Sequence, residues 1–253
     1  MRSPREYGCL MRIAIDTHTH TVASGHAYST VYELALGARK HHLKGFVLTD
    51  HGPGLPGGTH PYHFGNLRIL PERIRGVRFY RGVEANIVDT AGGLDLADEY
   101  LLQLDFAYAG LHELCFAPSD EATNTKALVA ALANPLVDAV SHPGNPVYPA
   151  NMREVAQAAK EYGKAIEINN GSFRVRAGSY ERCAEFARIC LETATFVVCG
   201  SDAHYWEDVG RLDKAVALLE ELHMPKGQVI NATTASFEAF LAKRKSEKRA
   251  SRA

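Results

Sequence analysis

Seven short apolar runs alternate with stretches of helical periodicity, and this alternation constrains the fold more than any other feature of the chain. The runs are residues 11–15, 45–49, 77–82, 106–110, 137–141, 165–169 and 195–200. Runs this short, with little polar interruption, read as strands covered on both faces. The segments between them carry helix signals. Thr30-x-x-Glu33 is a capping box, with Val31, Leu34, Ala35 and Ala38 behind it at helical spacing as far as Lys40. Asn151-x-x-Glu154 opens another helix, with Val155, Ala158, Ala159 and Tyr162 on one face and Gly163 as its stop. Further helices are expected at 123–133, 179–193, 209–222 and 234–242, and a short one at 68–75. Ala91-Gly92-Gly93 reads as a hairpin turn. A strand–helix repeat of this kind favours an α/β fold with parallel pairing and right-handed crossovers. No fixed-period repeat and no linker divides it. One domain over residues 11–242 is expected, with flexible tails at 1–10 and 243–253. Met1 and Met11 are both candidate starts.

Composition removes several function classes. The net charge of −1 leaves no basic footprint for nucleic acid. No apolar run is long enough to span a membrane, and no signal-peptide pattern is visible. The five cysteines (Cys9, Cys115, Cys183, Cys190, Cys199) are odd in number and lack C-x-x-C spacing, which suits free thiols in a reducing cytoplasm. The expectation is a cytoplasmic protein acting on a small molecule, and a homo-oligomer is compatible with it.

The chemistry gathers at the strand ends. In Asp16-Thr17-His18-Thr19-His20, alternation along an extended chain puts both imidazoles on one side. Imidazole is the commonest neutral nitrogen ligand for zinc and similar metals. Asp16 is placed to orient an imidazole from behind. Taken singly, this pair reads equally as two surface histidines. The later strands continue the pattern, with His51, Glu84, His112, His142 and then Asp202 with His204 at successive ends. In a (β/α) barrel those ends share one face, where active sites form. Glu84 and Asp202 would otherwise be carboxylates desolvated without a partner. His26 lies in the first loop on the same face. Residues 53–65, dense in Gly, Pro and His, are expected as a long loop walling the pocket, with His60 and His63 as candidate substrate contacts. Arg68 and Arg176 are candidates for gripping phosphate. His41, His42 and His223 read as solvated helix positions. Glu84 is suited to bridging two ions, with a water between them ionised near neutral pH as nucleophile. No nucleophile elbow, phosphate loop or dinucleotide fingerprint competes.

Taken together, Asp16-x-His18-x-His20, His26-Ala27-Tyr28-Ser29-Thr30, Thr49-Asp50-His51-Gly52-Pro53, Gly82-Val83-Glu84-Ala85-Asn86, Gly110-x-His112-Glu113, Ser141-His142-Pro143-Gly144-Asn145, Glu167-Ile168-Asn169-Asn170 and Gly200-Ser201-Asp202-x-His204 resemble a known family. It is the PHP (polymerase and histidinol phosphatase) family of metal-dependent phosphoesterases, in its YcdX-type phosphatase branch. The resemblance runs from Ile13 to Leu241. It implies a distorted, TIM-like seven-stranded (β/α) barrel with three divalent metal ions, zinc foremost and manganese or iron as alternatives. It also implies a ligand partition: His18, His20, Glu84 and Asp202 on one ion; Glu84, His112 and His142 on the second; His26, His51 and His204 on the third. The function implied is a phosphatase for small phosphorylated metabolites, using a metal-bound hydroxide held by Glu84, Asp202, His18 and His20. The rival readings are a nuclease or nucleotide phosphodiesterase of the same family, a binuclear amidohydrolase and a metal-binding structural protein.

Overall fold

The computed structural model describes residues 11–250. The expected tail at 1–10, the choice of start and residues 251–253 lie outside the described residues. Eight strands are formed: β1 (Ile15–Thr19), β2 (Gly45–Leu48), β3 (Arg73–Ile74), β4 (Val77–Asn86), β5 (Phe106–Gly110), β6 (Ala139–Val140), β7 (Ala165–Asn169) and β8 (Phe196–Gly200). The helices are α1 (Val31–Lys40), α2 (Pro61–Asn66), α3 (Asp98–Leu101), α4 (Glu121–Ala133), α5 (Met152–Glu161), α6 (Ser172–Val175), α7 (Ser179–Thr193), α8 (Asp213–Glu221) and α9 (Thr234–Ala250). Seven strands pair in the order β1-β2-β4-β5-β6-β7-β8, every neighbour parallel, with β3 folded back antiparallel on β4.

The sheet curls into a nearly closed barrel. Its two ends meet just beyond β8, where His20 N–H donates to the Ala203 carbonyl at 2.9 Å. Below that point a side chain from beyond β8 bridges the seam. The Asn231 amide donates to the carbonyls of Ile15 (2.8 Å) and Cys199 (2.7 Å) and accepts from Cys199 N at 3.1 Å. A residue after the last strand thus satisfies the backbone groups that an open edge would leave unpaired.

Stagger around the barrel sets where side chains point. The ten-residue β4 pairs with β2 through Arg78–Arg81 and with β5 through Gly82–Asn86. Its second half therefore rises above β2, and Glu84 stands inside the strand rather than after it. The barrel interior is filled by Ile15, Val47, Tyr80, Phe106, Tyr108 and Val198, closed from below by Phe237 and Phe240 of α9. Burying each such aromatic contributes about 1.5–3 kcal/mol. Outside, α4, α5, α7 and α8 cover one half of the sheet and α1 the other. The Thr30–Glu33 capping box forms, and Asn151 and Asp120 cap α5 and α4.

Four expectations are corrected. β1 starts at Ile15, not Met11, because its polar residues are satisfied inside the barrel: Thr17 Oγ1 donates to the Cys199 carbonyl (3.0 Å) and Thr19 Oγ1 to that of Val47 (2.8 Å). Segment 53–65 is not wholly loop. Pro61 at the first helical position and the His60 ring, which accepts from Tyr62 N at 3.1 Å, start α2. The expected helix at 68–75 is a 3₁₀ turn followed by β3, because Arg75 and Gly76 take positive φ and turn the chain into β4. The tail expected from residue 243 continues α9 to Ala250. There Arg244 and Lys248 are buried and converge on the buried Asp138, at 3.1 Å to Oδ1 and 2.6 Å to Oδ2. A charged stretch read as a flexible tail is anchored under the barrel by Asp138 and by the Pro135 and Val137 carbonyls.

Removing one partner of a buried ion pair leaves the other uncompensated, at about 3–5 kcal/mol. Asp138→Ala, which leaves both buried cations without their carboxylate, is therefore expected to lower the unfolding free energy by roughly that amount, read from the midpoint of a urea transition. An unchanged midpoint would show that α9 is not anchored there.

Candidate metal centre

The upper mouth of the barrel collects the sequence-predicted ligands. His18 and His20 leave β1 on one face, His51 follows β2, Glu84 lies in β4, and His112, His142 and Asp202 follow β5, β6 and β8. His142 and Asp202 take positive φ, 32° and 55°, as residues with side chains rarely do. Two glycines leave room beneath them. A Cβ on Gly200 would sit 2.3 Å from Glu167 Oε1, and one on Gly110 would sit 3.1 Å from Glu84 Oε1.

Glu84 is at the centre and fully buried. Its Oε1 faces His142 Nε2 (2.7 Å) and His112 Nε2 (3.3 Å). Its Oε2 faces His18 Nε2 (3.1 Å), His51 Nδ1 (3.1 Å) and His20 Nε2 (3.6 Å). Asp202 Oδ1 adds contacts at 3.3 Å to His20 and 3.6 Å to His18. Despite these distances, both Glu84 oxygens and the facing nitrogens of His18, His20, His51 and His112 lack hydrogen-bond geometry. Buried polar atoms left so cost about 1–3 kcal/mol each. Three groups have ligand atoms within 4.8 Å of one another: His18–His20–Asp202, His51–Glu84–His112 and His20–His51–His204. Lone pairs converging on shared points, without bonding each other, fit divalent cations.

The outer hydrogen bonds set which ring nitrogens carry lone pairs. His18 Nδ1 lies 2.7 Å from Glu167 Oε1, so it holds a hydrogen, and in the neutral ring the lone pair is on Nε2. His204 Nδ1 faces the Asp202 carbonyl at 3.0 Å, which only accepts. Its bare Nε2 stands 3.0 Å from His26 Nε2. Ser24 Oγ donates to Asp50 Oδ1 (2.7 Å), so it can only accept from His20 Nδ1 at 3.2 Å. That places the His20 lone pair on Nε2.

No family model matches the chain. Curated relatives do. The chain is 50% identical over 238 residues, 94% of its own length and 98% of the other's, to a probable phosphatase of Acetivibrio thermocellus. It is 49% identical over 233 residues to a probable phosphatase of Caldanaerobacter subterraneus subsp. tengcongensis, spanning 91% of this chain and 92% of that one. The chain belongs to the PHP family of phosphatases. The fold of this PHP chain is also that of histidinol phosphate phosphatase from Lactococcus lactis, with a TM-score of 0.61 at 18% identity over 83% of this chain and 93% of that one. A histidinol phosphatase from Listeria monocytogenes gives 0.59 at 16% identity, over 78% and 97%. No helix among the described residues is long and apolar enough to cross a membrane.

Two residues of the PHP chain's centre were given no role by the sequence reading, although Glu167 stands in one of its motifs. Glu167 orients His18 and accepts from His142 N (2.7 Å) and Asn169 Nδ2 (3.1 Å). Its signal was a carboxylate in the middle of an apolar strand. Ser24 carried no signal of its own. Asp16, expected behind an imidazole, instead accepts from the backbone N–H groups of His18 (3.2 Å), Ser201 (3.0 Å) and Gly210 (2.8 Å). It ties β1 to the loop after β8. Of the candidate substrate contacts, Arg176 lines the cleft over the cluster, a space of about 380 Å³ that Leu55, Pro56 and Tyr148 also line. Arg68 and His63 line a separate depression outside α2. His60 caps α2.

Charge follows the same plan. Burial pushes Glu84 up, but His18, His112, His51 and His142 together hold it well below the usual carboxylate range. Burial lowers His51 well below the ordinary imidazole value and takes His20 to about 4. Burial also opposes charge on His18, yet Glu167, Glu84 and Asp202 outweigh it and hold that ring well above 6.5. In the metal-free protein a proton on His18 does part of what a cation would do.

The metal-free protein is accordingly expected to keep the His20 ring neutral, with hydrogen on Nδ1, until the pH falls to about 4. The unfolded chain takes that proton near 6.5, so this group's contribution to stability is lost as pH falls from about 6.5 to about 4. Ring ¹⁵N shifts across a pH titration check it. A His20 ring that titrates near 6.5 would contradict the assignment.

Proposed function

We propose that the chain hydrolyses phosphate monoesters of small metabolites at a centre of three divalent ions, zinc foremost and manganese or iron as alternatives. The observation that carries this reading is the convergence of bare nitrogens and buried carboxylate oxygens around Glu84. Divalent ions held there supply a water ionised near neutral pH and neutralise the charge of the phosphate. A phosphate monoester carries about −1.5 to −2 near neutral pH, and a site with more than two cations suits it.

Within this reading, Glu84 would help hold two ions, since its Oε2 faces His18 and His20, with Asp202 beside them, and its Oε1 faces His112 and His142. His26 and His204, whose Nε2 atoms face each other, share the third with His51. His51 Nδ1 also faces Glu84, so His51 links the third group to the bridge. Glu167 and Ser24 keep His18 and His20 in the ligand tautomer. Arg176 Nη1 donates to Ser172 Oγ (2.7 Å) and Asp202 Oδ2 (3.3 Å), and its guanidinium, which lines the cleft, would bind the phosphate of a substrate. Leu55, Pro56 and Tyr148, which also line the cleft, would contact the organic part. A cleft of about 380 Å³ suits a small metabolite.

Metal analysis of protein prepared without chelators is expected to show more than two ions per chain. Glu84→Ala is expected to lose at least one ion and the phosphatase activity with it. A fully metallated, active Glu84→Ala protein would remove the bridging role. Arg176→Ala is expected to cost about 1.5–3 kcal/mol of transition-state binding, roughly ten- to a hundred-fold in kcat/KM. A panel of phosphorylated metabolites, assayed beside dinucleotides and cyclic amides at defined metal content, tests the class. Activity confined to phosphodiesters or amides would overturn it.

A further inference from the structure

We propose that His63 is a positioning residue for the metal centre, acting from α2 through Asp50 and Ser24. The inference rests on the reading of the centre given above. Asp50 is fully buried, and its carboxylate organises the first βα loop. Oδ1 accepts from Thr21 N and from Ser24 Oγ, each at 2.7 Å. Oδ2 accepts from Thr21 Oγ1 at 2.7 Å and has His63 Nε2 at 3.2 Å. The two threonine contacts and the serine contact come from the adjacent loop. His63 alone reaches Asp50 from α2.

The next contact carries the effect inward. Ser24 Oγ has one hydrogen, and Asp50 takes it. Its two lone pairs then accept His51 N–H at 3.1 Å and His20 Nδ1 at 3.2 Å. One hydroxyl therefore fixes the tautomer and tilt of one candidate ligand and the backbone of another. If Asp50 shifts, the hydroxyl loses its fixed acceptor and is free to turn its hydrogen toward His20. His20 Nδ1 would then accept, and the ring hydrogen would move to Nε2, where a metal needs the lone pair. His63 Nε2 is buried 3.2 Å from Asp50 Oδ2, an ion-pair contact without hydrogen-bond geometry, and it has no other polar partner among the described residues, so the contact sets where the carboxylate rests from the α2 side. The path from α2 to the centre is four side chains long: His63, Asp50, Ser24, His20.

A merely structural role for His63, pinning α2 to the barrel, makes a different prediction from a positioning role. Glutamine places its amide N–H close to where the imidazole Nε2 sits. Asparagine, a carbon shorter, places it nearer Nδ1, out of reach of Asp50. The experiment strips each protein of metal and titrates it with Zn²⁺ against a chromophoric chelator, for wild type, His63→Gln, His63→Asn and His63→Ala. Thermal unfolding of the same metal-free samples confirms that each is folded. Outer partners of metal-ligating histidines change affinity by about ten- to a hundred-fold. The weakest zinc site is expected to weaken about tenfold in His63→Asn and His63→Ala, and to stay within about twofold of wild type in His63→Gln. If Ala unfolds, the Gln and Asn pair still decides the question. Equal weakening in Gln and Asn, or none in either, overturns the proposal. A wild-type chain that takes up no zinc overturns the metal-centre reading and this inference with it. A wild-type chain that binds zinc as well as every His63 variant does overturns this inference alone.

Discussion

A carboxylate at the middle of a protein is the constraint on which the remaining structure depends. Glu84 is fully buried, and an isolated charge there would be driven to take a proton. His18, His112, His51 and His142, facing its two oxygens, prevent that. They must come from four different strand ends, so the barrel has to close for the charge to be tolerated. The stagger of β4 against β2 and β5 lifts Glu84 into the mouth. Tyr108 forms the floor, stacked under His18 at 4.9 Å between ring centroids and bonded to Thr17 Oγ1 at 2.9 Å. Below it the core is apolar, and above it nearly every buried group is polar.

The hydrogen bonds behind the histidines matter as much as the histidines. An imidazole offers its lone pair on one nitrogen only, and the acceptor on the other nitrogen chooses which. Here the acceptors are of three kinds: a carboxylate for His18, a hydroxyl for His20 and a backbone carbonyl for His204. Glu167 and Asp50 carry no place in the cluster itself, yet they decide whether it is ready for a cation.

Much of this was legible in the sequence because the signals were local. The βα alternation is written in apolar runs and caps, so β5, β7 and α7 fall at the expected residues. Ligand-type residues at successive strand ends point to one face once the strands are parallel. What was not legible depends on contacts between distant segments. Lys248 and Arg244 look like solvated charges until Asp138 is found beneath them. Asp16 sits two residues from an imidazole, but its oxygens are taken by backbone donors from the loop after β8, more than a hundred residues away. Arg68 follows the Gly/Pro-rich region yet lines a depression away from the cleft, and His63 points its Nε2 to Asp50 rather than into the cleft that Leu55 and Pro56 line.

The seam of the barrel has a consequence for how the chain is made. Ile15 and Asn231 are 216 residues apart in sequence, and the amide of Asn231 joins the two edge strands. During vectorial synthesis β1 leaves the ribosome early and waits with one edge exposed until almost the whole chain has followed. The plug under the barrel comes later still, because Phe237 and Phe240 belong to the last helix. Contacts this distant in sequence make folding slow and leave partly built sheets open to association. A chain interrupted before its last helix is therefore an unsealed sheet rather than a smaller barrel, and its quality control falls on whatever binds nascent strands.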